Sequence, residues 1–371
     1  MVHIFMTGGT GFVGSAVLKV LLENREIETV KVLVRNKNKA SKQFLELMYK
    51  GSQLEKKVIP IQGDITSPNF GLSSSELQSI QESDEVYHIA ANTSLSTETN
   101  DKKPIFSTNV EGTRNLLEIF KNSKYLKKLF YFSSAYACGK IPELIKENWL
   151  EKPSNFRNHY EESKWASENL IKEYYEKYGI LFIILRPGII SIGNNFKFKE
   201  DGENTIYRYG NILKEALKLQ KNNDHQPMKL IGKHSSTLNI IPVDAIVKIL
   251  MEIRETNKIN SIFNLTNEIN VTVLSICKGI EEGIEFKNGF ILKEKLDYSP
   301  LSRSEKFAFI HTRPFWGYTL CDNLHWSIDN TKDIRKKLKM DVNDNKWIKE
   351  HMKNYFLRRS EHEKQKPVVQ I

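Results

Sequence analysis

Tyr160 and Lys164 stand four positions apart in Asn158-His159-Tyr160-Glu161-Glu162-Ser163-Lys164. If this stretch is helical, as Trp165-Ala166-Ser167-Glu168-Asn169-Leu170 after it suggests, the two side chains share one face. A phenol with an ordinary pKa near ~10 is a poor acid-base group at neutral pH, and an adjacent ammonium favours its anionic form and lowers that pKa. Tyr160 would then give a proton, or a strong hydrogen bond, to an oxygen that gains charge as hydride arrives. Alone, Tyr-x-x-x-Lys arises by chance in a lysine-rich chain. Here the apolar run Leu129-Phe130-Tyr131-Phe132 leads into Ser133-Ser134-Ala135-Tyr136-Ala137-Cys138-Gly139, placing hydroxyls at the C-terminal end of a strand, where parallel sheets bind ligands. Ser134 is chosen to meet the reacting carbonyl, with Ser133 its close competitor.

A second constellation opens the chain. Met6-Thr7-Gly8-Gly9-Thr10-Gly11-Phe12-Val13-Gly14 follows one β-rich run and begins a helical one. Glycines at 8, 11 and 14 suit a turn that brings backbone N–H groups and a helix N-terminus against a pyrophosphate, where a Cβ would obstruct the approach. At the end of the next strand an acid would bond the ribose 2′-hydroxyl of NAD, whereas a cation accommodates the 2′-phosphate of NADP. Arg35 occupies that place, with Lys39 nearby, so NADP(H) is expected over NAD(H). Gly63-Asp64-Ile65 ends the third strand and puts Asp64 beside the adenine, with a turn cap as its structural alternative.

These groups need a scaffold. Short β-branched runs at 2–6, 29–34, 58–62, 85–89, 128–133 and 181–185 alternate with helical patterns at 13–22, 109–121 and 160–177. The expected fold class is α/β: a Rossmann-type doubly wound parallel sheet with a smaller C-terminal substrate-binding lobe. Residues 1–190 form the NADP-binding domain with the Ser, Tyr and Lys. Residues 191–357 form mainly the substrate lobe, with returns to the main sheet, and 358–371 a frayed tail. Within the lobe, 193–239 reads as polar and irregular. Asp244 reads as a helix N-cap, and Asp329-Asn330-Thr331 as the start of a capped helix.

Composition narrows the function classes. The 371 residues are 40% hydrophobic and 27% charged, as in an ordinary folded protein. Fifty-five Lys and Arg against 45 Asp and Glu give a net charge of +10. The lysines are scattered and no nucleic-acid motif accompanies them, so no nucleic-acid partner is expected, and affinity for an anionic substrate or an acidic carrier protein is the sharper reading. Cys138, Cys277 and Cys321 have neither disulfide-framework nor zinc spacing. His88, His159, His225, His234 and His311 likewise form no metal set; surface or capping roles are expected, and no metal. The glycine turn begins too early to leave room for a signal peptide, and no run nears the ~18 apolar residues that would span a bilayer. Cytoplasmic residence is expected.

The sequence resembles the extended short-chain dehydrogenase/reductase superfamily along most of its length. The resemblance rests on Thr7-Gly8-x-x-Gly11-x-x-Gly14, His88-Ile89-Ala90-Ala91, Asn109-Val110-Glu111-Gly112-Thr113, Ser133-Ser134, Tyr160 to Lys164, and Arg186-Pro187-Gly188. It implies that Ser134, Tyr160 and Lys164 form the catalytic set, the spacing of Ser134 to Gly139 favouring that serine. It implies that Lys164 also holds the nicotinamide ribose and that Pro187, Gly188, Ile189 and Ile190 lie against the nicotinamide. With the residues above, Ala90, Ala91, Asn109 and Ser133 complete the expected cofactor site.

Val32-Leu33-Val34-Arg35, Asp64-Ile65-Thr66-Ser67-Pro68, Ser134-Ala135-Tyr136 and Tyr160-Glu161-Glu162-Ser163-Lys164-Trp165 resemble the thioester-reductase and fatty-acyl-reductase branch. The implied reaction is NADPH-dependent reduction of an acyl thioester, carried by coenzyme A or a carrier protein, to an aldehyde or alcohol; a homodimer is a further implication. Two rivals stand beside it. One is a ketoreductase, epimerase or dehydratase of the same superfamily, with Lys197, Lys199, Arg208, Lys229 and Lys233 holding a nucleotide diphosphate. The other is a non-catalytic NADP-binding regulator. Phe307, Phe309, Phe315, Trp316, Tyr318 and Trp326 are read mostly as core with an acyl channel as the sharper reading, and Glu161 and Glu162 as a solvated helix face.

Overall fold

The computed structural model describes residues 1–47, 57–141, 144–193, 205–220, 226–321, 323–341 and 343–365. Seven strands build its main sheet: β1 (Val2–Thr7), β2 (Ile27–Val34), β3 (Val58–Gln62), β4 (Glu85–His88), β5 (Lys128–Phe132), β6 (Phe182–Pro187) and β7 (Ser261–Leu265). Every pairing is parallel, in the order β7-β6-β5-β4-β1-β2-β3. The fold is a Rossmann-type doubly wound sheet. From β1 the chain winds outward to β2 and β3, then returns to β4 and winds the other way, so connections leave β1 and β4 in opposite directions and a crevice opens at their C-terminal ends.

Helices cover both faces, which is why these strands read as continuous apolar runs rather than alternating ones. On one face, helix α1 (Phe12–Glu23) and the helix Val243–Glu255 bury Val17, Leu21, Ile246 and Leu250 against Ile4, Val32 and Phe263. On the other, α2 (Gly112–Phe120) and α3 (His159–Tyr178) bury Leu116, Phe120, Leu170 and Ile171 against Phe5, Val86 and Ile184. A third apolar cluster, with Tyr207, Leu213, Ile276, Phe315 and Phe356 among its members, forms the core of the C-terminal part.

Four expectations change. The stretch read as irregular contains the helix Thr205–Leu217 and the strand Met228–Ile231. Its signal was present: Ile206, Tyr209, Leu213 and Ala216 recur at helical spacing, and all four are buried. The helix expected from Asn109 is continuous with Thr99–Phe106 through a π-helical turn at Ser107–Glu111, and it runs through Pro104, which had masked its start. The tail expected to fray from Arg358 instead prolongs the helix Asn345–Gln365 to residue 365. That helix is anchored by Ile348, Met352 and Phe356, each fully buried. Asp244 lies in the first turn of its helix, and Pro242 is the N-cap. Asp329–Thr331 does open a helical segment, as a 3-10 turn ahead of Lys332–Lys337.

Candidate functional site

The turn after β1 is built on close backbone approach. A Cβ on Gly14 would come 2.0 Å from the Gly8 carbonyl oxygen, and one on Gly8, which has φ +76°, would come 2.5 Å from the Ala90 nitrogen. Both positions therefore admit only glycine, and they press the start of α1 and the end of β4 together. Gly11 differs, since a Cβ there would meet only the Gly8 carbonyl oxygen, at 3.3 Å. It is the N-cap of α1 and supplies no side-chain cap, and no acidic residue occupies the first turn. The first-turn N–H groups of α1 carry the positive end of the helix dipole, an arrangement that suits a phosphate.

Beneath the turn, His88 bridges Thr7 and Thr113, with Nδ1 2.7 Å from Thr7 Oγ1 and Nε2 3.0 Å from Thr113 Oγ1. Burial, helped by the Lys164 charge, lowers its pKa to about 3, so it is neutral. His88 is thus a structural bridge of the core, not the surface or capping residue expected. His159 lies 3.7 Å from Glu162, His234 and His311 are exposed, and His225 falls outside the described residues.

A cavity of about 770 Å³ runs from this turn across the C-terminal edge of the sheet. Of the expected cofactor residues, Thr7, Gly8, Thr10, Gly11, Phe12, Val13, Gly14, Arg35, Asp64, Ile65, Ala90, Ala91, Pro187, Gly188, Ile189 and Ile190 all line it. Arg35 is exposed on its rim. Asp64 does two jobs: Oδ1 accepts from Thr66 N at 2.9 Å and from Thr66 Oγ1 at 2.8 Å, shaping the turn, while the residue faces the cavity. These bonds, with the nearby Arg35 charge, hold its pKa below the ordinary carboxylate value.

Four expected residues do not line the cavity. Lys39 is exposed. Asn109 is buried and holds the neighbouring loop, its Oδ1 accepting from Asn92 N at 2.7 Å and its Nδ2 donating to Asn92 O at 3.0 Å and Ser163 Oγ at 2.8 Å. Ser133 donates to Glu168 Oε1 at 2.5 Å, and Glu168 forms a buried ion pair with Arg186 at 2.6 Å. Lys164 is buried beneath the wall. Its Nζ donates to the Phe132 carbonyl at 2.7 Å and lies 6.0 Å from the centroid of the Tyr160 ring.

Ser134 and Tyr160 both face the cavity, and the Ser134 hydroxyl is near enough to the phenol to act on its pKa. Burial raises the Tyr160 pKa to about 12, the Ser134 hydroxyl acts to lower it, and the Glu161 charge raises it further. The expectation that Lys164 lowers this pKa is corrected: the ammonium is turned toward the Phe132 carbonyl, and the phenol's own desolvation dominates. Lys164 is itself brought down to about 7 by burial, against the opposing pull of Glu168.

Beyond Tyr160 the cavity becomes apolar, lined by Leu95, Ile206, Tyr209, Leu238, Val273, Ile276, Phe315 and Tyr318. Phe315 and Tyr318 were read from sequence mainly as core residues; both are buried and both also form this wall. Of the cations expected to hold a diphosphate, Arg208, Lys229 and Lys233 do not line it, and Lys197 and Lys199 fall outside the described residues. Sequence reasoning missed Tyr136, Asn92 and Thr93 on the wall, for which the chain carries no local signal.

Glu161 is the sharpest departure. Expected on a solvated face, its side chain is fully buried and pairs with Arg157 at 3.3 Å. Only Glu162 fits the expectation in part; it is half-buried and pairs with Lys102 at 2.9 Å.

Residues 6–250 match the family model described as Male sterility protein, an NAD-binding family. A nonribosomal peptide synthetase of Aspergillus flavus is 29% identical over 271 residues, which are 67% of this chain and 24% of the synthetase. A dTDP-D-glucose 4,6-dehydratase of Dictyostelium discoideum is 27% identical over 294 residues, 75% of this chain and 61% of the dehydratase. The chain thus spans less than two thirds of either relative. Among solved structures, the terminal R domain from the myxalamid PKS-NRPS biosynthetic pathway superposes with a TM-score of 0.73 at 22% identity, covering 98% of this chain and 92% of that one. That likeness is one of fold. Among the described residues, no helix is long and apolar enough to cross a membrane.

Proposed function

This chain belongs to the NAD-binding family described as Male sterility protein, and from that premise we propose that it is an NADPH-dependent reductase of acyl thioesters, acting through Ser134, Tyr160 and Lys164. The observation that carries the reading is that Ser134 and Tyr160 line one cavity together with the glycine turn at one end and apolar side chains of the C-terminal part at the other. Among the described residues, the one Lys or Arg lining this cavity is Arg35, at the dinucleotide end. A nucleotide sugar needs cations around its diphosphate, whereas an acyl chain needs an apolar wall.

The residues present fit the dinucleotide. Gly11 and the first turn of α1 would take the pyrophosphate, Arg35 the 2′-phosphate, Asp64 and Ile65 the adenine side, and Pro187 to Ile190 the nicotinamide side. The reduced dinucleotide supplies hydride when bound. The hydroxyls of Ser134 and Tyr160 donate to the carbonyl oxygen as it takes on charge, and Tyr160 passes its proton to that oxygen. Lys164, held at the Phe132 carbonyl 6.0 Å from the centroid of the Tyr160 ring, has a pKa of about 7 and can take up a proton as negative charge appears nearby. The resulting hemithioacetal breaks its C–S bond: the oxygen's proton returns to Tyr160, the sulfur leaves as a thiolate that takes a proton from water, and an aldehyde remains.

The dehydratase relative keeps a ketone or nucleotide-sugar substrate as the second reading; among the described residues, no Lys or Arg lines the apolar wall. The net charge of +10 is consistent with a thioester presented by an acidic carrier protein. The test is NADPH consumption against a panel of acyl-coenzyme A and acyl-pantetheine thioesters, with Tyr160→Phe as control. Aldehyde or alcohol appearing with wild type and lost in the variant supports the proposal. Tight NADPH binding with no turnover of any thioester rejects it.

A further inference from the structure

Three segments far apart in the chain converge on one buried cation. Arg157 Nη1 donates to the Gly139 carbonyl at 2.8 Å, at the end of the turn that begins with Ser134. Its Nε donates to the Gly317 carbonyl at 3.1 Å, and its Nη2 reaches Cys321 Sγ at 3.1 Å, both in the C-terminal part. The guanidinium carbon lies 5.8 Å from the Tyr136 ring centroid and 5.7 Å from that of Tyr318, and both tyrosines line the cavity. Glu161, in the first turn of α3, balances this charge. Its carboxylate accepts from the Arg157 guanidinium, from Arg157 N at 3.0 Å and from Tyr318 Oη at 2.8 Å. Asn158, the N-cap of α3, donates to the same Tyr318 oxygen at 2.8 Å.

A buried charge is costly unless it is paired and hydrogen-bonded, and here the partners come from the Ser134 turn, the start of α3 and the C-terminal part. Resting on the reductase reading above, we propose that Glu161 is a positioning residue that, through Arg157 and Tyr318, fixes the Tyr160 hydroxyl relative to Ser134 and to the apolar wall that receives the acyl chain. The geometry is direct. Glu161 is the residue next to Tyr160, Arg157 holds the far end of the Ser134 turn, and Tyr318 belongs to the wall itself. Arg157, Glu161 and Tyr318 are engaged with one another, with Asn158 and Cys321, and with the Gly139 and Gly317 carbonyls, so the role of the cluster is to set distances.

The titratable and charged groups facing Glu161 are Arg157 and Tyr160 on its own segment, Tyr318 and Cys321 from the C-terminal part, and Cys138 and Tyr136 from the turn after β5. Removing the Glu161 charge takes away one influence that raises the Tyr160 pKa. In the reductive direction Tyr160 works protonated, so the alkaline limb of kcat moves to lower pH in Glu161→Gln.

The experiment uses the full chain as wild type, Glu161→Gln, Tyr318→Phe and the double variant. NADPH affinity, thermal midpoint, and kcat and KM against pH are measured with an acyl-coenzyme A thioester and, separately, with a medium-chain aldehyde. We expect each single variant to bind NADPH as wild type does and to lose about tenfold or more in kcat. The double variant is expected to lose no more than the worse single one, because the two act as a unit. The alkaline limb falls to lower pH in Glu161→Gln.

Folded variants with wild-type kcat and an unmoved limb overturn the proposal, as does a loss seen only in thermal midpoint. If Glu161→Gln does not fold, Tyr318→Phe decides alone by its kcat. Wild type that reduces the aldehyde but no thioester rejects the thioester reading while leaving this test intact on the aldehyde. Wild type that reduces neither overturns both.

Discussion

The Lys164 ammonium nitrogen lies 2.7 Å from the carbonyl oxygen of Phe132, the last residue of β5. This bond ties the helix that carries Tyr160 to the strand whose end carries Ser134, so one buried cation joins the two elements that present the hydroxyl pair.

The burial that gives Lys164 a pKa of about 7 has a consequence for stability. Between that value and its ordinary 10.5, the unfolded chain holds a proton that the folded one has shed, so this group makes stability rise with pH across the window. Lys164→Met is therefore expected to be more heat-stable than wild type at neutral pH and below, with the gap closing toward pH 10.5. Activity is expected to fall at least about a hundredfold. Calorimetry across pH checks the first point and NADPH turnover the second.

Tyr160→Phe keeps the ring and removes only the hydroxyl. The expected outcome is a loss of about 10²- to 10⁴-fold in kcat with NADPH affinity unchanged within a few fold. An equal loss in cofactor affinity would instead make Tyr160 a binding residue. Because the phenol pKa stands near 12, wild-type reduction is expected to keep its rate well past neutrality on the alkaline side, which a pH–rate profile reads directly.

Two glycines of one turn should fail differently. Alanine at Gly14 drives a Cβ to 2.0 Å from backbone at Gly8, so Gly14→Ala is expected to lower the thermal midpoint and abolish dinucleotide binding together. Gly11→Ala makes a single contact at 3.3 Å and is expected to fold normally while binding NADPH more weakly. Thermal melts with and without NADPH separate the two.

On the proposed reading, Arg35 sets the cofactor preference. Arg35→Ala is expected to cut kcat/KM for NADPH by about 10- to 100-fold, the worth of a charge-assisted hydrogen bond, and to leave NADH nearly unchanged. A parallel fall with both cofactors would mean that Arg35 serves the turn rather than the 2′-phosphate.

Arg186→Met breaks the buried pair with Glu168 and leaves a carboxylate that Ser133 alone still serves. Removing one partner of a buried pair costs about 3–5 kcal/mol, so a marked drop in denaturant midpoint is expected. Glu168→Gln with Arg186→Met should recover part of it.

By itself the sequence determined the parts that are local. Thr7 to Gly14, the strand runs, Arg35 at the end of β2 and the Tyr160–Lys164 spacing are dictated by backbone geometry and by the helical and strand periods, which act over a few residues. The doubly wound fold followed from the alternation of those runs. Tertiary structure decided what depends on partners far along the chain. Ser133 and Ser134 are chemically alike, and only the packing of α3 and β6 turns one toward Glu168 and the other toward the cavity. Glu161 looked solvated because Tyr318, which donates to it, and Gly139, Gly317 and Cys321, which hold its partner Arg157, arrive from other segments, and the Arg157–Cys321 contact alone spans 164 positions. The same distance effect hid the apolar wall, whose residues come from separate helices and turns. Burial also reversed the expected effect on the Tyr160 phenol, since desolvation depends on the whole surrounding volume and no local spacing encodes it.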